Sequence, residues 1–131
     1  MTDDDYIDKI YSLMIADKEL MGILGNPKTP KEKNLRIRRE LTPLSEATAE
    51  NVPFISLYIT STTETKNIWL SKAFLNADVY AKNRAEMKVI KKCVKRIFES
   101  TGQLSESQHD IKSDTKGVSR YRFIYRPIIE A

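Results

Sequence analysis

A chain of 131 residues with 40% hydrophobic and 31% charged side chains suffices for one core, is too short for two well-packed ones, and has a globular rather than a disordered balance. No apolar run approaches the ~20 residues that span a bilayer, and the start MTDDDYIDK is acidic where a secretory signal needs a basic segment and then an apolar block. The single cysteine, Cys93, excludes an intrachain disulfide and sits among apolar residues as a small core side chain.

The formal charge of +4 is modest but uneven. Asp3, Asp4, Asp5, Asp8, Asp17 and Glu19 make the first segment acidic, and the basic groups gather later. From Asp5 to about Ala16, Ile7, Ile10, Leu13 and Met14 recur at helical spacing, with acidic residues in the first turn where the helix dipole favours them. Asp17 can cap a second short turn through Leu20, Met21, Ile23 and Leu24, and Gly25 with Asn26-Pro27 supplies a stop.

Residues 26–52 carry Pro27, Pro30 and Pro43, many charges and no sustained period apart from a short strand predicted at Leu35 to Glu40. They read as a long, mostly irregular connection of the kind that orders against a partner, with Arg36, Arg38 and Arg39 as candidate contacts. The run PFISLYIT, Pro53 to Thr60, alternates as a strand, with Ile55, Leu57 and Ile59 on one face and Phe54, Ser56, Tyr58 and Thr60 on the other. After a polar turn at Ser61 to Asn67, Ile68 to Ala81 again has period two. Trp69, Ala73, Leu75, Ala77 and Val79 oppose Leu70, Lys72, Phe74, Asn76, Asp78 and Tyr80, completing an antiparallel hairpin.

Asn83 to Glu86 has the form of a capping box with Asn in the cap. It opens a helix whose stripe of Val89, Ile90, Cys93, Val94, Ile97 and Phe98 covers the sheet, while Lys88, Lys91, Lys92, Lys95 and Arg96 fall mainly outside it. Gly102 ends the helix. A weak strand at Glu106 to Lys112, a turn at Asp114 to Gly117 and a strong strand at Ser119 to Arg126 follow, with Tyr121, Phe123 and Tyr125 on one face and Pro127 as the stop. The fold class is α+β, an antiparallel sheet of about four strands with two or three helices packed on one face.

One histidine, one cysteine and four glycines leave little from which to build a catalytic constellation. His109 and Asp110 are neighbours on a strand and point to opposite faces, so they do not read as a base with its orienting carboxylate. The Asp3 to Asp5 cluster matches no calcium-loop spacing, and GxxxxGK[ST], GxGxxG and CxxC are all absent. The expectation is a protein that is not an enzyme and takes no cofactor or metal. Asp78, mid-strand, calls for an arginine, with Arg120 or Arg122 as candidates. The helix lysines read first as a solvated face; contact with phosphates, or with an acidic patch of another copy, is the functional alternative.

Taken in order, IYSLMIADKELMGILG, VPFISLYIT, LNADVYAKNRAEMKVIKKCVKRIFE and SRYRFIYRPI resemble the tail-completion, or tail-terminator, proteins of long-tailed bacteriophages across nearly the whole chain. That resemblance implies a virion protein, assembled in the host cytoplasm, that forms a homo-oligomeric ring, a hexamer, at the head-proximal end of the tail. Its partners would be the major tail-tube protein, a head-connector or stopper protein, and genome DNA passing nonspecifically, with no membrane involved. The face opposite the helices should then present Phe54, Tyr58, Phe74 and Tyr80. Tyr58, Phe74, Tyr80 and Trp69 are the expected subunit or neighbour contacts, and Lys88, Lys91, Lys92 and Lys95 the expected lumen or phosphate contacts. The alternatives are another neck component and a small basic nucleic-acid-binding domain.

Overall fold

The acidic first segment folds as two helices, α1 at Asp3–Ala16 and α2 at Lys18–Ile23. This computed structural model describes residues 3–42, 47–48, 50–62, 72–101, 105–111 and 117–125. Helix α1 buries Tyr6, Ile7, Ile10 and Met14, whereas Leu13, expected on the same face, is 36% exposed beside the groove between α1 and the later basic helix. Asp17 caps α2 by accepting from the Leu20 amide at 3.0 Å. The exit is a Schellman turn: the Asn26 amide donates to Met21 O and the Gly25 amide to Gly22 O. Gly25 and Asn26 both take positive φ, which glycine and asparagine tolerate best.

The connection that follows is more ordered than its composition suggests. Helix α3, Pro30–Arg36, starts on a capping box: Thr29 accepts from the Glu32 amide, Glu32 accepts from the Thr29 amide, and Pro30 occupies the first turn, where its missing N–H is harmless. No residue of α3 is buried, so it carries no apolar stripe for periodicity to detect. Strand β1, Ile37–Arg38, follows directly and lies inside the stretch Leu35 to Glu40 where a strand was expected.

Strands β2, Phe54–Thr62, and β3, Lys72–Ala81, form the expected antiparallel hairpin. Asn83 caps helix α4, Arg84–Ser100, accepting from the Glu86 amide at 2.8 Å. Strands β4, Ser105–Ile111, and β5, Ser119–Tyr125, close the order. The sheet runs β1-β2-β3-β5-β4. All neighbours are antiparallel except β1 and β2, which are parallel. The class is α+β, with the fifth strand and the one parallel pair both arising from the connection. The turn at residues 63–67, Gly102, Arg126 and Pro127 lie outside the described residues.

Helices α1, α2 and α4 share one face of the sheet. Between the layers lie Ile10, Met14, Leu20 and Leu24 from α1 and α2, Ile55, Leu57, Leu75, Ala77, Val79, Phe123 and Tyr125 from the strands, and Met87, Ile90, Cys93, Val94, Ile97 and Phe98 from α4. Phe98 stacks on Tyr125 with centroids 3.8 Å apart. Cys93 is fully buried, and burial pushes its thiol up, so it is a packing residue and not a nucleophile. Ile37 of β1 also reaches this core, which ties the connection to the main layer.

Candidate interaction surfaces

Two surfaces bear the residues singled out by the sequence: the face of the sheet opposite α1, α2 and α4, and the outer side of α4. Register defines the first. Phe54, Tyr80 and Arg120 stand side by side across β2, β3 and β5; so do Ser56, Asp78 and Arg122, then Tyr58, Asn76 and Ile124, then Thr60 and Phe74.

The first row is covered by the chain itself. Phe54 and Tyr80 are 0% and 1% exposed and stack at 4.5 Å. The Arg38 guanidinium lies over Phe54 at 4.3 Å, Arg120 lies over Tyr80 at 5.0 Å, and Ala47, Val52 and Val118 complete a second, smaller core. The expectation that this row forms an open aromatic patch is therefore corrected: the connection doubles back along β2 and closes over it. Tyr80 is not available to a neighbour, and its hydroxyl accepts from Arg120 Nη2 at 3.2 Å.

The second row is polar, and its members are paired. Arg122 Nε and Nη2 donate to the two Asp78 carboxylate oxygens at 2.7 and 3.1 Å, and Tyr58 donates its hydroxyl to Asp78 Oδ2 at 2.9 Å. Burial, with the Asp78 charge second, pushes the Tyr58 hydroxyl far up, so it remains a donor. The carboxylate bond likewise raises Arg122. The arginine expected for Asp78 is thus Arg122, and Arg120 serves Tyr80. Thr42 donates to Ser56 Oγ at 3.1 Å, and Ser56 donates to the Glu40 carbonyl, so residues just after β1 are also pinned to this row. Tyr58 and Phe74 are half-buried and remain the reachable aromatics, while Trp69 lies outside the described residues.

The three arginines expected to meet a partner are engaged at home. Arg36 Nη1 donates to the carbonyls of Asn51 and Pro53 at 3.2 and 3.0 Å. Arg38 Nε donates to Leu35 O at 3.2 Å. Arg39 pairs with Asp8 at 2.9 Å and lies over the Tyr11 ring at 4.4 Å. A connection with few apolar residues to bury holds its path through guanidinium bonds to carbonyls, rings and a carboxylate.

On α4 the basic side chains divide into two flanks. Toward α2, Arg96 pairs with Asp17 at 2.7 Å and Glu19 at 3.2 Å, and Lys92 reaches Glu19 at 3.5 Å. The acidic patch that meets these groups belongs to the same chain. Glu19 is held below the usual carboxylate range by its bond to Arg96 and then by Lys92. Burial raises Asp17, but the Leu20 amide and Arg96 together outweigh that and hold it low.

Both carboxyls therefore lie lower in the folded chain than in the unfolded one. Their contribution is present above the ordinary values of 3.8 and 4.5 and is lost as pH falls through the folded values. Thermal melts from neutral pH downward should show Arg96→Gln less stable than the parent at neutral pH. The two curves should converge in acid, where the carboxylates are protonated.

The other flank is turned toward β4 and β5. Arg84, Lys88 and Lys91, at positions i, i+4 and i+7, line an open cleft of about 830 Å³ with Met87, Asp110 and Ser119. Lys91 Nζ sits 3.9 Å from the Tyr121 ring centroid. Lys88 and Lys95 are exposed. Arg84 and Asp110 were legible only as a capping-box residue and as the neighbour of His109; the spacing of Arg84 to Lys88 and Lys91 is the signal that would have joined them. The His109 side chain lies outside the described residues, and its backbone pairs with Arg122.

Among the described residues no cluster of three His, Cys, Asp or Glu side chains could hold a metal ion, and no helix is long and apolar enough to cross a membrane. No family model, curated protein or solved structure matches this chain.

Proposed function

We propose that this chain is a structural virion protein of the kind it resembles, a tail-completion component that forms a homo-oligomeric ring, a hexamer, at the head-proximal end of a phage tail tube. What supports the reading is a pair of unlike open strand edges on opposite sides of one sheet. On one side β1 pairs with β2 only at Ile55 and Ser56, so Leu57 to Thr62 have no ladder partner on that edge among the described residues. On the other, β4 pairs with β5 alone among the described residues.

Unpaired edges are templates for another strand. Joining two different surfaces head to tail gives a closed ring whenever the rotation per step closes. Half-buried Tyr58 lies on β2 itself and Phe74 on the adjoining strand, so these two aromatics are the side chains assigned to the next subunit. In this reading the ring caps the major tail-tube protein, offers its other side to a head-connector or stopper protein, and lets genome DNA pass without base-specific contact.

The test is the mass of the purified protein, alone and mixed with a candidate tail-tube partner. The expected particle is roughly sixfold the 15.1 kDa chain. Gln108→Lys places a charge on the outer strand β4, a device that blocks edge pairing. It should return the particle to the mass of one chain with an unchanged circular dichroism spectrum. A parent protein that stays at 15.1 kDa in both conditions sinks the proposal.

A further inference from the structure

The outer flank of α4 and the sheet edge beside it hold more cations than acidic side chains among the described residues. Arg96 and Lys92 are neutralised by Asp17 and Glu19. In the cleft, among the described residues, Arg84, Lys88 and Lys91 face one acidic side chain, Asp110. Lys95 continues the same side of the helix, so the stripe from Arg84 to Lys95 runs about 16 Å along the axis. From these observations we infer that the cleft between α4 and strands β5 and β4 binds the phosphate backbone of duplex nucleic acid, through Arg84, Lys88 and Lys91 and without base readout.

The lining favours a nucleic acid over an acidic protein. Among the described residues Met87 is its only large apolar member and is itself 6% exposed. A protein partner would therefore find no apolar centre to desolvate, whereas a polyanion gains by releasing condensed counterions and needs only spaced cations. The lining also favours backbone over bases. The Tyr121 ring, which Lys91 of the cleft covers, has that ammonium over its face and Phe123 packed at 5.0 Å, so it offers no platform for a stacked base. The contact with Tyr121 holds Lys91 at the cleft, and Asp110 moderates the grip.

The identity of the polyanion as genome DNA rests on the proposed virion role; the binding itself is measured on the isolated chain. The experiment titrates the full chain against a short duplex of mixed sequence by fluorescence anisotropy over a range of salt concentrations. For three phosphate contacts the plot of log K against log salt should fall with a slope of about −3. Lys88→Ala with Lys91→Ala should flatten the slope to about −1 and weaken low-salt binding at least about tenfold. Lys92→Ala, on the neutralised flank, should leave both unchanged, and circular dichroism should be the same for all three.

Absence of binding at low salt, an unaltered slope in the Lys88 and Lys91 variant, or an equal loss with Lys92→Ala each overturns the inference. Tighter binding of poly-glutamate than of the duplex also overturns it, by reassigning the cleft to an acidic protein. A ring whose mass is intact while binding fails refutes the cleft alone, and a single-chain mass with binding intact refutes the ring alone.

Discussion

Phe54→Ala is expected to lower the unfolding free energy by about 4 kcal/mol, as for other fully buried phenylalanines. The ring is 0% exposed, stacks on Tyr80 and supports Arg38, so its loss opens a cavity under the connection and removes the surface on which that guanidinium rests. Two measurements separate this from a general loss of packing. Urea unfolding gives the stability change, and limited trypsin digestion should reveal cleavage after Arg38, which is 8% exposed in the parent. Leu41→Ala, at a site 62% exposed on the same connection, should change stability by less than about 0.5 kcal/mol. Equal effects at the two positions would mean that the connection does not close over the sheet.

Arg122→Ala should be of similar size, about 3 to 5 kcal/mol, because it leaves the Asp78 carboxylate, 2% exposed, without its counter-charge. Tyr58→Phe removes one donor from the same carboxylate and should cost only about 1 kcal/mol, since both Arg122 bonds remain. Replacing the pair together, Asp78→Leu with Arg122→Leu, should recover much of the loss. Neither charge is then stranded, and the half-exposed Tyr58 hydroxyl can bond to water. Urea midpoints of the parent, Asp78→Leu, Arg122→Leu and the double variant complete the cycle. A double variant no better than Arg122→Ala would show that the pair matters through the shape of the row and not through its charge.

Element by element, the sheet hairpin, α1, α2, α4 and the aromatic last strand were all readable from the chain. Their signals are local. Ile55 and Leu57 alternate with Phe54 and Ser56, Ile90, Cys93, Val94 and Ile97 repeat at helical spacing, and Asp17 and Asn83 are capping residues placed before helices. Helix α3 lies where an irregular connection was expected: with no buried face it left no periodicity, and the cap chemistry of Thr29-Pro30-Lys31-Glu32 was its mark. The two-residue β1 was harder still. It exists because Ile37 enters the main core beside Ile55, a contact between segments 18 positions apart.

The candidate contacts show the same division. Periodicity correctly sorted Phe54, Tyr58, Phe74 and Tyr80 onto one face, because side-chain direction in a strand follows from backbone geometry. It could not say that Ala47, Val52 and Val118 would arrive over one end of that face, burying Phe54 and Tyr80 while leaving Tyr58 and Phe74 half-open. Likewise the helix pattern placed Lys88, Lys91, Lys92 and Lys95 outside the apolar stripe. The approach of α2 on one flank and of β5 and β4 on the other then separated the cations paired with Asp17 and Glu19 from those that line the cleft with Asp110.

The amino-acid order alone therefore determined which side chains share a face, where helices begin, and the α+β class, since these depend on neighbours a few residues away. Only the tertiary structure decided which face is covered, which arginines are committed to carbonyls and rings, and which strand edges are unpaired among the described residues. Those outcomes depend on segments distant in sequence meeting in space, and local spacing carries no information about where such segments meet.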